Sequence, residues 1–262
     1  MHPSFTAMNP PPFLRHILAI HLIAACSAFA ENPLHPILCI SDKVVLQEDF
    51  SKPGAIDKKT WNARQGTQWK IEDGVLRGRP STPEFQAAAT SHKGLEPRIA
   101  APVTPPQFIA KFSVRFSGGA ETDVAPFVEF SHHVCRLRLS STGAELLAGA
   151  DATRVAEAKN FRYEPGKWYQ MLAELQGDEF VIQIAGGPTL YAQNAIFAQP
   201  GEKGANGLGI AGPRDGVAEL DDVTLASVKP GTQPGWAAKR GTFPKFKPVE
   251  AAPGKKGKKA KE

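Results

Sequence analysis

Residues 108–116 read Phe-Ile-Ala-Lys-Phe-Ser-Val-Arg-Phe. On an extended chain successive side chains point to opposite faces. Phe108, Ala110, Phe112, Val114 and Phe116 therefore share one side, with Lys111, Ser113 and Arg115 on the other. Apolar residues at a period of two predict a strand with one buried and one wet face. The pattern recurs outward in both directions. Ala125–Ser131 and Val134–Leu139 alternate in the same way, with Cys135, Leu137 and Leu139 opposite Arg136 and Arg138. Residues 69–72 and 75–78 flank Asp73-Gly74, a strong hairpin signal. Residues 168–175 and 179–185 flank Gly177-Asp178, and residues 208–210 and 218–228 complete the set. Asp151–Phe161 is the one stretch read with helical content. Many short strands at close spacing predict an all-β sandwich, and the lack of crossover helices excludes a βαβ fold.

Composition agrees. The 262 residues are 42% hydrophobic and 22% charged, which excludes wholesale disorder. With 24 Gly, 23 Pro and only three Met, turns are favoured over a helical bundle. Of the net charge of +5, residues 230–262 carry +7 (nine Lys/Arg, two Glu), leaving −2 for the rest. Four segments are expected: a signal peptide over 1–30, a lead-in over 31–43, the sandwich over 44–229 and a disordered basic tail over 230–262.

The first segment reads as an export signal, so an exported protein is expected, periplasmic, extracellular or associated with the cell envelope. Arg15 and His16 precede the apolar run Ile17–Ala25, and Ala28-Phe29-Ala30 has the small-x-small form of a cleavage site. The run is too short to span a bilayer, and no later stretch reaches that length. A second reading makes Cys26, after Ile23-Ala24-Ala25, an acylated lipid anchor. For Cys39 and Cys135, a disulfide and a pair of buried thiols are both open.

Several motifs occur in a familiar order: Trp69-x-Ile71-x-Asp73-Gly74-Val75-Leu76, His133–Leu137, Gly166–Tyr169, Glu174-x-x-Gly177-Asp178-Glu179 and Leu220–Val223. Together they resemble exported bacterial proteins with a concanavalin A-like (laminin G-like) jelly-roll domain. These are labelled 3-keto-disaccharide hydrolase domain or family 16 glycoside hydrolase. The resemblance covers about residues 44–228 and implies a jelly-roll β-sandwich, and its labels imply hydrolysis of glycosidic bonds; a carbohydrate or cell-envelope polymer is the expected partner. The Glu-x-Asp-x-x-Glu strand of family 16 enzymes does not occur here.

The leading expectation is a non-catalytic carbohydrate-binding or cell-envelope module. Its ligand face would comprise Arg115, Arg136, Arg138, Trp168 and Gln170, with Glu129 on the same polar surface and Tyr169 and Tyr191 as further aromatic platforms. A glycoside hydrolase is the alternative, with Glu129 and Glu174 as acid and base; a purely structural envelope protein is the third. The plainer reading of Glu129 is a cross-strand ion pair with Arg136 or Arg138. His132 and His133 are expected on opposite faces of a strand, which separates them as metal ligands. Asp221 and Asp222, with Glu48 and Asp49, offer oxygens for a structural calcium; strand-edge carboxylates bonded to backbone amides are the other reading. The lysine-rich end lacks interleaved aromatics, so no nucleic-acid partner is expected.

Overall fold

The structure, a computed structural model, describes residues 33–101, 106–199 and 207–250. In the first half lie β1 (Cys39–Glu48), β2 (Gly54–Ala55), β3 (Asn62–Ala63), β4 (Gln68–Glu72), β5 (Val75–Arg79), α1 (Pro83–Ala88), β6 (Arg98–Ala100), β7 (Phe108–Ser117) and β8 (Phe127–Phe130). After them come β9 (Cys135–Ser140), β10 (Gly143–Ala148), β11 (Thr153–Ala158), β12 (Tyr169–Gln176), β13 (Glu179–Ile184), β14 (Thr189–Gln193), β15 (Leu208–Ala211), β16 (Val217–Thr232) and α2 (Trp236–Arg240). No helix among the described residues is long and apolar enough to cross a membrane.

The strands form two antiparallel sheets. One has the order β14-β13-β12-β7-β16-β5-β4-β2, with β1 also on β16; the other runs β11-β10-β9-β8-β15-β6-β3. β16 lies along β7 on one side. Its other side pairs first with β5 and then, beyond Asp221, with β1. A bulge between Asp221 and Thr224, with Asp222 at φ 50°, marks that change. Asp73 and Gly74, at φ 54° and 75°, form the β4–β5 turn that their sequence announces.

The alternating face of β7 fills the space between the sheets. Phe108 and Phe112 meet Phe130 of β8 at 5.8 and 6.1 Å, and Phe130 meets Phe180 at 5.1 Å. A second apolar cluster lies on the outside of the nine-stranded sheet, where Leu38, Cys39 and Trp236 cover Ile109, Leu172, Val181 and Ala226.

Three expectations change here. The stretch read as helical forms β11, because Thr153–Ala158 pairs along β10 as an edge strand. The tail does not begin at Pro230: β16 continues to Thr232, and Trp236 is buried against Tyr191 and Phe243. Val249 then exchanges two backbone hydrogen bonds with Arg154, at 2.8 and 2.9 Å. The thiols of Cys39 and Cys135 are free and sit in different clusters, so the disulfide reading is set aside. The signal, Cys26 and the lysine run Lys255–Lys261 lie outside the described residues.

On the outer face of the nine-stranded sheet, Glu219 is held by two arginines. Arg77 Nε donates to Oε1 at 2.8 Å, Arg115 Nη2 to the same oxygen at 2.9 Å, and Arg115 Nε to Oε2. Burial pushes the carboxyl up, but these donors outweigh it and hold Glu219 below the usual carboxylate range. A depressed folded-state value contributes stability above the unfolded pKa, and that stability disappears as pH falls through the folded value. Glu219→Gln is expected to cost about 2–3 kcal/mol at pH 7, less than for a fully buried pair because both arginines are partly exposed. Thermal denaturation of both proteins from pH 7 to pH 2 checks this: the gap should close at acid pH. A gap independent of pH would show that the charge is not responsible.

Candidate functional site

The exposed face of the seven-stranded sheet carries a groove. Pairing places Gly209 of β15 opposite both Glu129 of β8 and Ala100 of β6, and Ala211 opposite Phe127 and Arg98. These small residues leave a low floor between taller neighbours. The cavity above it measures about 790 Å³, with Arg64, Phe85, Lys93, Arg98, Glu129, His132, His133 and Arg136 among its walls.

Phe85 arrives on α1, a six-residue helix that the sequence starts well. Thr82 is its N-cap, accepting from the Phe85 N–H at 3.2 Å, and Pro83 takes a position where no N–H is needed. A Cβ at Gly66, at φ 69°, would meet the Phe85 ring at 2.6 Å, so the ring rests directly on that glycine. The residue remains 40% exposed, an aromatic at the groove wall.

The turn between β8 and β9 gathers polar groups. Ser131 and His133 have φ of 55° and 62°, which breaks strand alternation across residues 131–134. The rings of His132 and His133 consequently meet, centroids 3.9 Å apart, where opposite faces were expected. Glu129 accepts the His133 backbone N–H at 3.1 Å, and its Oε2 lies 3.2 Å from His132 Nδ1. Arg64 Nη1 lies 3.2 Å from that same Nδ1. The nitrogen serves one partner at a time: with a proton it donates to Glu129, without one it accepts from Arg64. The ligand atoms of Glu129, His132 and His133 fall within 4.8 Å of one another, a donor set that suits a divalent transition metal. Arg64 and Arg136, 3.2 and 3.9 Å from two of those groups, oppose a cation there.

Arg98 and Arg136 flank the Phe127 ring, their guanidinium carbons 5.3 and 5.8 Å from its centroid. Burial pushes Arg136 down; Glu129 opposes that shift and Arg98 reinforces it. Farther along the face the charges are matched. Glu145 pairs with both Arg138 and Arg154, and Arg154 with Glu157.

The residues expected to form one ligand face divide between the sheets. Arg136 and Arg138 lie with Glu129 on the seven-stranded sheet. Arg115 and Gln170 belong to the nine-stranded one, with Trp168 just ahead of β12, where Arg115 stacks 4.7 Å over Trp168 while bonded to Glu219. Tyr169 is buried, and Tyr191 bonds to Glu179 at 2.8 Å beside Trp236. Glu174 is fully buried on β12, accepting backbone N–H groups of Ile37, Leu38 and Cys39 at 2.9, 2.9 and 2.7 Å. Burial pushes its carboxyl up, against those donors. Glu129 and Glu174 thus stand in separate sheets and cannot flank one glycosidic bond as acid and base. Asp221 accepts the Asp222 N–H at 2.8 Å at the bulge, the backbone-bonded arrangement. Sequence reasoning missed Arg64, Phe85, Lys93 and Arg98, which lie outside the alternating runs. The available signal was the run of small residues, Ala100, Gly209 and Ala211, in strands otherwise bulky.

No protein-family model matches the chain, and no curated protein matches it. Solved structures do. A variant of SCLam, a non-specific endo-β-1,3(4)-glucanase from family GH16, aligns over 74% of this chain and 98% of its own, at 12% identity and TM-score 0.51. The carbohydrate-binding module CBM66 from Bacillus subtilis covers 66% and 100%, at 15% identity and TM-score 0.46. The cellulose-induced protein Cip1 covers 71% and 99%, at 11% and 0.49. The SCLam alignment shows the fold: this chain is a concanavalin A-like jelly-roll β-sandwich.

Proposed function

We propose that the protein is a non-catalytic carbohydrate-binding module whose ligand occupies the groove over Gly209 and Phe127. The observation that carries this reading is the composition of the groove, a cavity of about 790 Å³ with an exposed aromatic, Phe85, facing planar polar side chains. A pyranose has an apolar face and a rim of hydroxyls, so it needs an aromatic platform and forked donors and acceptors. Phe85 supplies the first; Arg64, Arg136, Glu129 and the two histidines supply the second. A jelly roll is a scaffold compatible with such a ligand, since SCLam was crystallised with a glucan oligosaccharide at its active site. A hydrolase using two carboxylates finds less support: Glu174 is remote, and Glu96, the other acid of the groove, is bonded to Arg98 at 2.8 Å.

A glycan array probed with the full chain tests the proposal. Binding to a defined saccharide is expected, and Phe85→Ala should weaken it about three- to tenfold, the worth of one aromatic platform at 0.5–1.5 kcal/mol. Because Phe85 is exposed, the melting temperature should stay within about 2 °C. Absence of binding across the array, or equal binding by Phe85→Ala, would overturn the groove as a saccharide site.

A further inference from the structure

The charge balance of the groove goes beyond sugar recognition in general. Arg64, Lys93, Arg98 and Arg136 line it against two acids, Glu96 and Glu129. Glu96 pairs with Arg98 at 2.8 Å, and Glu129 approaches Arg136 at 3.9 Å. Arg64 and Lys93 make no ion pair among the described residues, and buried Arg98 Nε has no hydrogen-bond partner there. The fold also sets Arg98 and Arg136 on one ring, Phe127, which is only 4% exposed beneath them. Glu96 and Glu129 offset the cost of bringing these two guanidiniums together only in part, since the groove holds four basic groups against two acids, and forked donors fit the oxygens of a carboxylate or sulfate. Contrast comes from the same sheet, where Arg138 and Arg154 share Glu145 and leave no comparable excess.

Building on the carbohydrate reading, we infer that the ligand is an acidic saccharide whose carboxylate or sulfate seats against Arg98 and Arg136 above Phe127. Arg64 and Lys93 meet the next acidic group along the chain. Calorimetric titration of the full chain tests this with four probes of equal length: an oligogalacturonate, a sulfated galactan oligosaccharide, neutral cello-oligosaccharide and single-stranded DNA. Each is measured at 50 and 300 mM NaCl. At least one acidic saccharide is expected to bind tenfold or more tighter than the neutral one, and to weaken at the higher salt. Whichever of uronate and sulfate binds tighter identifies the anion. Arg136→Gln should abolish the preference. Lys93→Gln, at an exposed position, should reduce it a few-fold with the melting temperature unchanged.

Equal affinity for acidic and neutral saccharides would overturn the anion inference and leave the carbohydrate reading intact. Binding of none of the saccharides would overturn both. DNA binding as tight as the acidic saccharide, unaffected by Arg136→Gln and Lys93→Gln, would show attraction to the basic end of the chain and overturn the inference.

Discussion

Glu174→Ala is expected to cost about 3–5 kcal/mol and lower the melting temperature by about 10 °C. The carboxylate accepts three backbone N–H groups, from Ile37, Leu38 and Cys39, at a position with no exposure. Alanine would leave those donors without acceptors in an apolar setting, at about 1–3 kcal/mol each before relaxation. Relaxation has a direction: residues 33–39 lose their anchor and lift from the sheet. Two side-chain bonds still hold them, from Gln183 to the His35 carbonyl and from Gln233 to the Cys39 carbonyl, both 2.8 Å. Thiol labelling under native conditions, resolved by peptide mass spectrometry, reads this motion. Cys39, the last residue of the segment and buried against the sheet, should become reactive as the segment lifts, while Cys135, in the core between the sheets, stays protected. Glu174→Gln, which keeps one acceptor oxygen, should fall between. Unchanged Cys39 labelling and melting temperature in Glu174→Ala would refute the anchoring role.

That role shows where the sequence stops being informative. Parity along β12 puts Glu174 on the wet side with Gln170, and the pairing confirms that both lie on the outer face. Yet the lead-in covers that face over Glu174, Leu172 and Val181, through contacts more than a hundred residues apart in the chain. No local pattern announces such a contact. Strands such as Phe108–Ser117 and the Asp73-Gly74 turn were legible because their signals are local: a period of two, and residues that tolerate positive φ. The histidine pair failed for the complementary reason. Alternation rules hold only inside a strand, and left-handed Ser131 and His133 end the strand at Phe130. Which polar strip joins which sheet is equally nonlocal, so Arg115 and Arg136 looked like neighbours and are not. At the C-terminal side, composition misled: Trp236 and Phe243 are isolated in sequence but meet at 6.1 Å over Tyr191.

Filling the floor of the groove separates shape from charge. A Cβ at Gly209 would lie 3.4 Å from the Ile99 carbonyl, 3.5 Å from Ala100 Cβ and 3.7 Å from Glu129 Cβ, all ordinary contacts. Gly209 therefore accepts a Cβ without a clash, and that Cβ would stand beside Glu129 in the cavity. A glycine inside a strand is weakly destabilising, so Gly209→Ala should fold at least as well as the parent, and circular dichroism and melting temperature check that Gly209→Val keeps the native fold. Every charge in the groove and at the basic end is kept. Ligand affinity should nevertheless fall in steps with side-chain volume, slightly for alanine and about 5- to 150-fold for valine. That range corresponds to about 1–3 kcal/mol of overpacking against a bound ring. A polyanion held by the lysine run alone would bind all three proteins equally. Undiminished binding to natively folded Gly209→Val would place the ligand elsewhere, while a graded loss at constant charge requires it to lie on Gly209.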